Sequence, residues 1–318
     1  MSAVVDVALP VFGIILAGFL AGRAGLLGRD SSEALNRYVY WVALPPVLFL
    51  GLARNPLDQV LNAPFIAAFL GSLGAVAVLG ALAARVRGER AEGMVMLGLN
   101  AAFSNTGYLG IPLFLAAFGP LGLAPAILAT VLVSSVVIGA AIVLIEAARS
   151  AGGGAAHAGG RVLRSLGRNP LILAPLAGAA WSLSGLPLPR PLVTFGDLLG
   201  ASAGPCALFA IGLFLAGQQL RAGLRADLGP VATAVALKLL VQPALAWVLA
   251  THAFPMHPYW AAACVLLAGL PTGALTFVVA QQYKAAVERT STVILVSTVL
   301  SVPTLSALLA YYVPLSPP

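Results

Sequence analysis

Charge is what this sequence has least of. Only 8% of its 318 residues are Asp, Glu, Lys or Arg, whereas a soluble globular domain carries about 25%; a water-facing surface of ordinary composition is excluded. Cysteine is almost absent: Cys206 and Cys264 are the only two. Both lie in apolar segments without CxxC spacing and read as small buried hydrophobes, not as a disulfide framework. The three histidines, His157, His252 and His257, fall in loops without ligand spacing, so no metal site is expected. Nucleophile elbows, phosphate loops and zinc spacings are missing as well, which leaves an enzyme reading without a catalytic constellation.

What is present is apolar. Hydrophobic residues make up 60% of the chain and the mean hydropathy is +0.99. The apolar segments run about 20 residues between short polar breaks, the length a helix needs to cross the hydrocarbon core; alternating strands of a membrane barrel would look different. The fold class is therefore all-α and polytopic. Met1 to Pro10 has no basic n-region and its apolar run continues into a full span, so no signal peptide is expected. With Gly, Pro and charge clusters as boundaries, ten spans follow: 5–22, 33–53, 64–84, 92–118, 122–147, 169–185, 192–217, 229–252, 257–281 and 289–313.

Basic residues set the orientation, because Lys and Arg are retained in cytoplasmic loops. Alternate connections hold 14 of the 17 Lys and Arg residues, against Arg54 and Arg190 on the other side and Lys238 inside a span. Both termini are thus expected on the non-cytoplasmic side of the inner, plasma membrane. The same bias explains the net charge of +7 without a nucleic-acid partner; the partners expected are the lipid bilayer and a small substrate.

The segment 149–168 contains A-G-G-G-A-A-H-A-G-G between basic ends and reads as a short cytoplasmic linker. It divides the chain into 1–148 and 169–318, and the two parts echo each other. A-L-P-V-F-G (8–13) resembles L-A-P-L-A-G (173–178), N-T-G (105–107) faces P-T-G (271–273), and T-V-L-V-S-S (130–135) faces V-I-L-V-S-T (293–298). Two five-span repeats are expected. Five is odd, so the second inserts inverted relative to the first, the arrangement of secondary transporters with midplane sites at broken helices.

Those breaks are expected in spans four and nine. Asn105, Thr106, Gly107 and Pro112 interrupt one, and Pro271, Thr272 and Gly273 the other. Proline removes a donor and expels an acceptor, glycine permits unusual dihedrals, and the half-helix N-termini so created offer free amides with partial positive charge. Such ends suit a carboxylate; a packing kink with Asn105 as a helix cap is the plainer alternative. Asn100, about one and a half turns earlier, reads as support for the helix beneath.

Lys238 lies mid-span in V-A-L-K-L-L-V-Q-P, with Gln242 one turn later on the same face. A central membrane lysine costs roughly 3 kcal/mol on insertion scales and should face protein or a cavity. Its roles stay open: counter-ion to an anionic substrate, a fixed cation where other transporters place sodium, snorkelling, or an internal pair with Asp197 or Asp6. Asp6, Asp197 and Glu146 lie near span ends and read as interfacial. Most of the Trp residues and Tyr311-Tyr312 read as interfacial anchors, and Tyr108 could line the site.

Several of these motifs resemble the auxin efflux carriers, the plant PIN proteins and their bacterial relatives. N-T-G-Y-L-G-I-P-L (105–113) looks like that family's N-T-x-x-x-G-I-P-L crossover, and R-N-P (168–170), A-I-G-L-F-L-A (210–216), K-L-L-V-Q-P (238–243) and L-P-T-G-A-L-T-F-V-V-A-Q-Q-Y (270–283) echo its later spans. The resemblance implies the bile-acid-symporter-type fold, with spans 1, 2, 6 and 7 as a scaffold that often forms a homodimer interface. Spans 3–5 and 8–10 would form a transport domain moving like an elevator, with an organic anion held at the crossover by Asn105. Plant members read N-P-N where this chain has Leu171 after R-N-P, and carry a longer cytoplasmic loop. The expected function is transport of a small carboxylate without a bound cofactor, coupling to H+ or Na+ being open; a non-transporting sensor or a channel of the same fold is the alternative.

Overall fold

The computed structural model describes residues 9–54, 61–149, 167–168, 170–217 and 228–312. Within these residues all regular structure is helical, and an isolated antiparallel bridge between Ser104 and Thr272 is the single strand-like pairing. The expected linker falls, apart from its ends, outside the described residues, as does Asp6.

The chain runs through α1 (Leu9–Arg23), α2 (Arg29–Tyr38), α3 (Leu44–Ala53), α4 (Ala63–Val86), α5 (Ala91–Ala102), α6 (Ile111–Phe118), α7 (Leu123–Leu132) and α8 (Ile138–Arg149). It continues through α9 (Pro170–Ser184), α10 (Arg190–Ala216), α11 (Leu228–Ala236), α12 (Gln242–Val248), α13 (Pro258–Ala268), α14 (Leu275–Tyr283) and α15 (Val287–Tyr312). Single π turns join several of these without ending the helix, so 228–253 is one continuous segment. Among the described residues four helical segments are long and apolar enough to cross a membrane: Ala63–Val86, Arg190–Ala216, Leu228–Ala253 and Val287–Tyr312. Shorter apolar helices pack around them, consistent with a polytopic membrane protein.

Three of the π turns have a sequence cause. Val39–Ala43, Thr106–Gly110 and Leu237–Val241 each end two residues before a proline, namely Pro45, Pro112 and Pro243. A helical proline lacks an N–H and collides with the carbonyl four residues back. In all three places the residue just before the proline instead donates five residues back: Leu44 to Val39, Ile111 to Thr106 and Gln242 to Leu237. The widened turn makes room for the ring, and such bulges recur at functional sites. Lys238 lies in one of them.

Small residues set the closest helix contacts. A Cβ on Gly18 would lie 2.2 Å from the Phe209 carbonyl oxygen, and one on Gly212 would lie 2.0 Å from that of Ile15, which seals α1 against α10. A Cβ on Gly178 would lie 2.3 Å from the Phe49 carbonyl oxygen, which seals α9 against α3. In lipid, helix association depends on this close backbone approach more than on burial of apolar area. The main apolar core runs between the helices, with Phe65, Phe69 and Phe114 fully buried and Trp260 meeting Phe65 edge-on.

Two helical stretches break inside the protein. One break spans residues 103–105 between α5 and the π turn that leads into α6; the other spans 269–274 between α13 and α14. Both fall where Gly, Pro and polar residues interrupt an apolar run. Pro112 is not itself in the break: it lies within the continuous helix Thr106–Phe118, where the π turn before it makes room for its ring. A Cβ on Gly204 of α10 would meet the Pro112 ring at 3.4 Å.

Candidate functional site

The two breaks run antiparallel and are stitched together by backbone. The Asn105 N–H donates to the Pro271 carbonyl at 2.9 Å and the Gly273 N–H donates to the Phe103 carbonyl at 3.0 Å. Irregular backbone deep in a membrane protein has to find such partners. Glycine is required at 273, because a Cβ there would stand 2.7 Å from the Phe103 ring. Thr272 fixes the crossing to the surrounding helices: its N–H donates to Ser297 Oγ at 3.1 Å and its hydroxyl donates to the Asn100 carbonyl at 2.8 Å. The Asn100 side-chain amide then donates to Thr290 Oγ1 at 3.0 Å. Pro271, Thr272 and Gly273 therefore build the crossing, and Asn100 braces it from below.

Beside the crossing lies a narrow pocket whose lining includes Phe103, Asn105, Thr106, Gly107, Tyr108, Thr130, Ser134 and Leu275. Its free space is about 10 Å³, room for roughly one water molecule. The helix that starts at Thr106 points its N-terminal turn here, and a first turn leaves its amides without intrahelical acceptors. Leu109 and Gly110 donate to the Asn105 carbonyl. The Asn105 side chain makes no cap hydrogen bond to the helix, against the plainer reading of Asn105 as a cap. The Thr106 hydroxyl is buried and has no partner. Asn105, Thr106 and Gly107 thus come together at the pocket, whereas Pro112, Pro271, Thr272, Gly273, Lys238 and Gln242 do not line it.

Lys238 forms a second polar centre at the crossing, outside the pocket lining. Its side chain is fully buried, so it does not snorkel. The ammonium donates to Ser104 Oγ at 2.9 Å, to the Ala268 carbonyl at 2.7 Å and to Gln242 Oε1. All three acceptors are uncharged. Asp197 is engaged elsewhere, with Arg54 at 2.8 Å, which removes it as the lysine's partner. Gln242 turns its oxygen to the ammonium and leaves its Nε2 buried and unpaired.

Ser104, Ala268, Ser134 and Ser297 escaped the sequence reading as site residues. Ser134 and Ser297 occupy matching places in V-L-V-S-S and I-L-V-S-T, a signal that was there to be used. Ala268 offers only a backbone carbonyl, which no side-chain pattern can announce. No group of three or more His, Cys, Asp or Glu that could hold a metal ion occurs among the described residues.

Comparison with known proteins gives a consistent picture. Residues 3–309 match the family described as Membrane transport protein. The chain is 32% identical over 310 residues to a protein of Rhizobium meliloti (strain 1021) named "Putative malonate transporter", covering 97% of this chain and 96% of that one. It is 30% identical over 305 residues to an "Uncharacterized transporter" of Methanothermobacter thermautotrophicus, covering 93% and 94%. It is also 25% identical over 285 residues to the "Uncharacterized transporter YfdV" of Escherichia coli (strain K12), covering 86% and 87%.

Proposed function

We propose that this chain, which belongs to the Membrane transport protein family, is a secondary transporter that carries a small organic anion across the inner membrane by an elevator movement. The observation that carries the proposal is the pocket at the crossing. There Asn105, the unpaired Thr106 hydroxyl and the positive end of a helix converge without an acidic side chain in the lining. A carboxylate suits that environment, since helix N-termini favour anions. The name of the Rhizobium relative makes a short dicarboxylate such as malonate the first substrate to try.

The fold proposed for this movement is two inverted five-helix repeats, 1–148 and 169–318. The Gly18–Phe209 and Gly178–Phe49 approaches support it, because each residue of one pair lies 160 positions from its counterpart (178 − 18 and 209 − 49). One contact is in effect made twice. The helices it joins, α1, α3, α9 and α10, would with α2 form the scaffold and a homodimer interface; Tyr38 of α2 and Ser202 of α10 at 2.7 Å, with the Arg54–Asp197 pair, add ties within that group. The remaining helices would carry the crossing. A pocket with room for one water has to open for a dicarboxylate to enter, which an elevator or gate provides. Both termini would face away from the cytoplasm.

The test is counterflow of radiolabelled malonate into liposomes holding the purified protein, with a panel of mono- and dicarboxylates as competitors. Saturable trans-stimulated uptake that Asn105→Ala abolishes, with its melting temperature retained, is the expected result. Equal uptake by Asn105→Ala and the unaltered protein would overturn the assignment, and binding without exchange would favour a sensor.

A further inference from the structure

We infer that the pocket at the crossing admits a single negative charge: its ligand is a carboxylate with an uncharged remainder, and a dicarboxylate enters with its second carboxyl protonated. The inference rests on the transporter reading and names the charge state of its substrate.

The lining offers donors for one carboxylate and no counter-charge for a second. Among the described residues no Lys, Arg, His, Asp or Glu lines the pocket, and much of its wall is apolar, Phe103, Val133 and Leu275 included. Two of its hydroxyls are already used: Thr130 donates to the Ala126 carbonyl at 2.7 Å and Tyr108 to the Asn36 carbonyl at 3.5 Å. The Thr106 hydroxyl, in a residue only 1% exposed, has no partner. It stands at the start of the continuous helix Thr106–Phe118, whose first-turn amides lack intrahelical acceptors. A helix N-terminus is worth about half a positive charge. That end suits one carboxylate; a second would lie against the apolar wall, where an unpaired ion is expensive. Charged side chains outside the lining have partners of their own: Arg37 with Glu33, Arg54 with Asp197, Arg289 with Glu89, and Lys238 with Ser104, Gln242 and the Ala268 carbonyl.

Gly107 points to the same end of the pocket. Its φ is not positive, and a Cβ there would meet only the Thr130 methyl at 3.6 Å, an ordinary contact. Neither dihedral nor packing asks for glycine. Thr130 is itself a lining residue, so the missing side chain leaves room on the pocket side, where a ligand can approach the first-turn backbone.

Malonate, malonamate and malonamide share one skeleton and carry two, one and no charges at a pH where both malonate carboxyls are ionised. Melting of the purified full-length protein with each compares them. Malonamate should stabilise at a concentration lower than malonate by on the order of 10-fold or more, and malonamide should do nothing. Gly107→Ala should melt no lower than the unaltered protein, alanine being the better helix former, and lose the malonamate effect. Malonate acting as well as malonamate, malonamide acting as well as malonamate, or a full malonamate response in Gly107→Ala would overturn the inference. Should neither acid shift the melt, competition against labelled malonate counterflow decides, malonamate having to be the stronger competitor. A preference for doubly charged malonate sinks the inference while anion transport stands; absence of any malonate exchange removes both.

Discussion

Gly178 and Phe49 stand so close that a Cβ on the glycine would lie 2.3 Å from the phenylalanine carbonyl oxygen. Backbone cannot step aside as a side chain can, so Gly178→Ala has to push α9 and α3 apart. Overpacking of this kind costs about 1–3 kcal/mol, and the equivalent Gly18→Ala should cost the same between α1 and α10. Gly13, also in α1, has nothing within 4 Å of its ideal Cβ, and Gly13→Ala should be neutral or slightly stabilising, as alanine is the better helix former. Melting of the three variants in detergent checks this; equal losses at 13 and 178 would contradict it.

Two of the ion pairs among the described residues should behave differently. Arg289 and Glu89 meet at 2.7 Å with side chains only 13% and 17% exposed, whereas Arg54 and Asp197 are 41% and 55% exposed. Removing Arg289 strands a carboxylate whose other oxygen, Oε1, is already buried and unpaired, and burial without a partner is expensive. Arg289→Ala should destabilise by about 1–3 kcal/mol, and Arg54→Ala by less than about 1 kcal/mol, with the smaller effect screened further by salt. Melting curves at low and high sodium chloride compare them directly.

Asn100 and Asn105 separate support from binding. Asn100→Ala removes the donor to Thr290 Oγ1 but keeps the backbone carbonyl that accepts from Thr272. It also removes a buried Oδ1 that has no partner, which offsets part of the loss. The expected result is a modest destabilisation, about 1 kcal/mol, with malonate competition unchanged. Loss of binding by Asn100→Ala at retained stability would move the site from the break into α5.

The breaks were legible in the sequence because their cause is local: Gly, Pro and polar residues inside an otherwise apolar run can only be read as interrupted helix. Lys238 was legible for the same reason, as the one formal charge in the middle of a span. Of its partners only Gln242, one turn on and on the same face, was. Ser104 and Ala268 lie 134 and 30 positions away, and one of them acts through its backbone. The π turns were out of reach for a different reason. Pro45, Pro112 and Pro243 could each have kinked or ended a helix, and only the packed structure decides that one extra residue per turn absorbs the ring. Pro175, Pro205 and Pro303 lie inside α9, α10 and α15, helices in which no π turn occurs among the described residues, so the residue type alone does not select the outcome.

Thr106 offers the sharpest division between folding and function. Its hydroxyl is buried at the pocket with no acceptor or donor, and an unsatisfied buried polar group costs about 1–3 kcal/mol. Valine has nearly the same shape without that group. Thr106→Val should therefore melt at the same temperature or higher, the opposite of what a structural threonine would show. If the hydroxyl is kept for an anion, the same variant should weaken it by the worth of a hydrogen bond to a charged group, about 1.5–3 kcal/mol, which is roughly 10-fold to 150-fold in the half-saturation concentration. Thr106→Ser retains the hydroxyl and should keep most of the affinity. Counterflow titrations with the three proteins read the effect; a Thr106→Val variant that melts higher and transports with unchanged half-saturation would remove Thr106 from the site while leaving Asn105 in it.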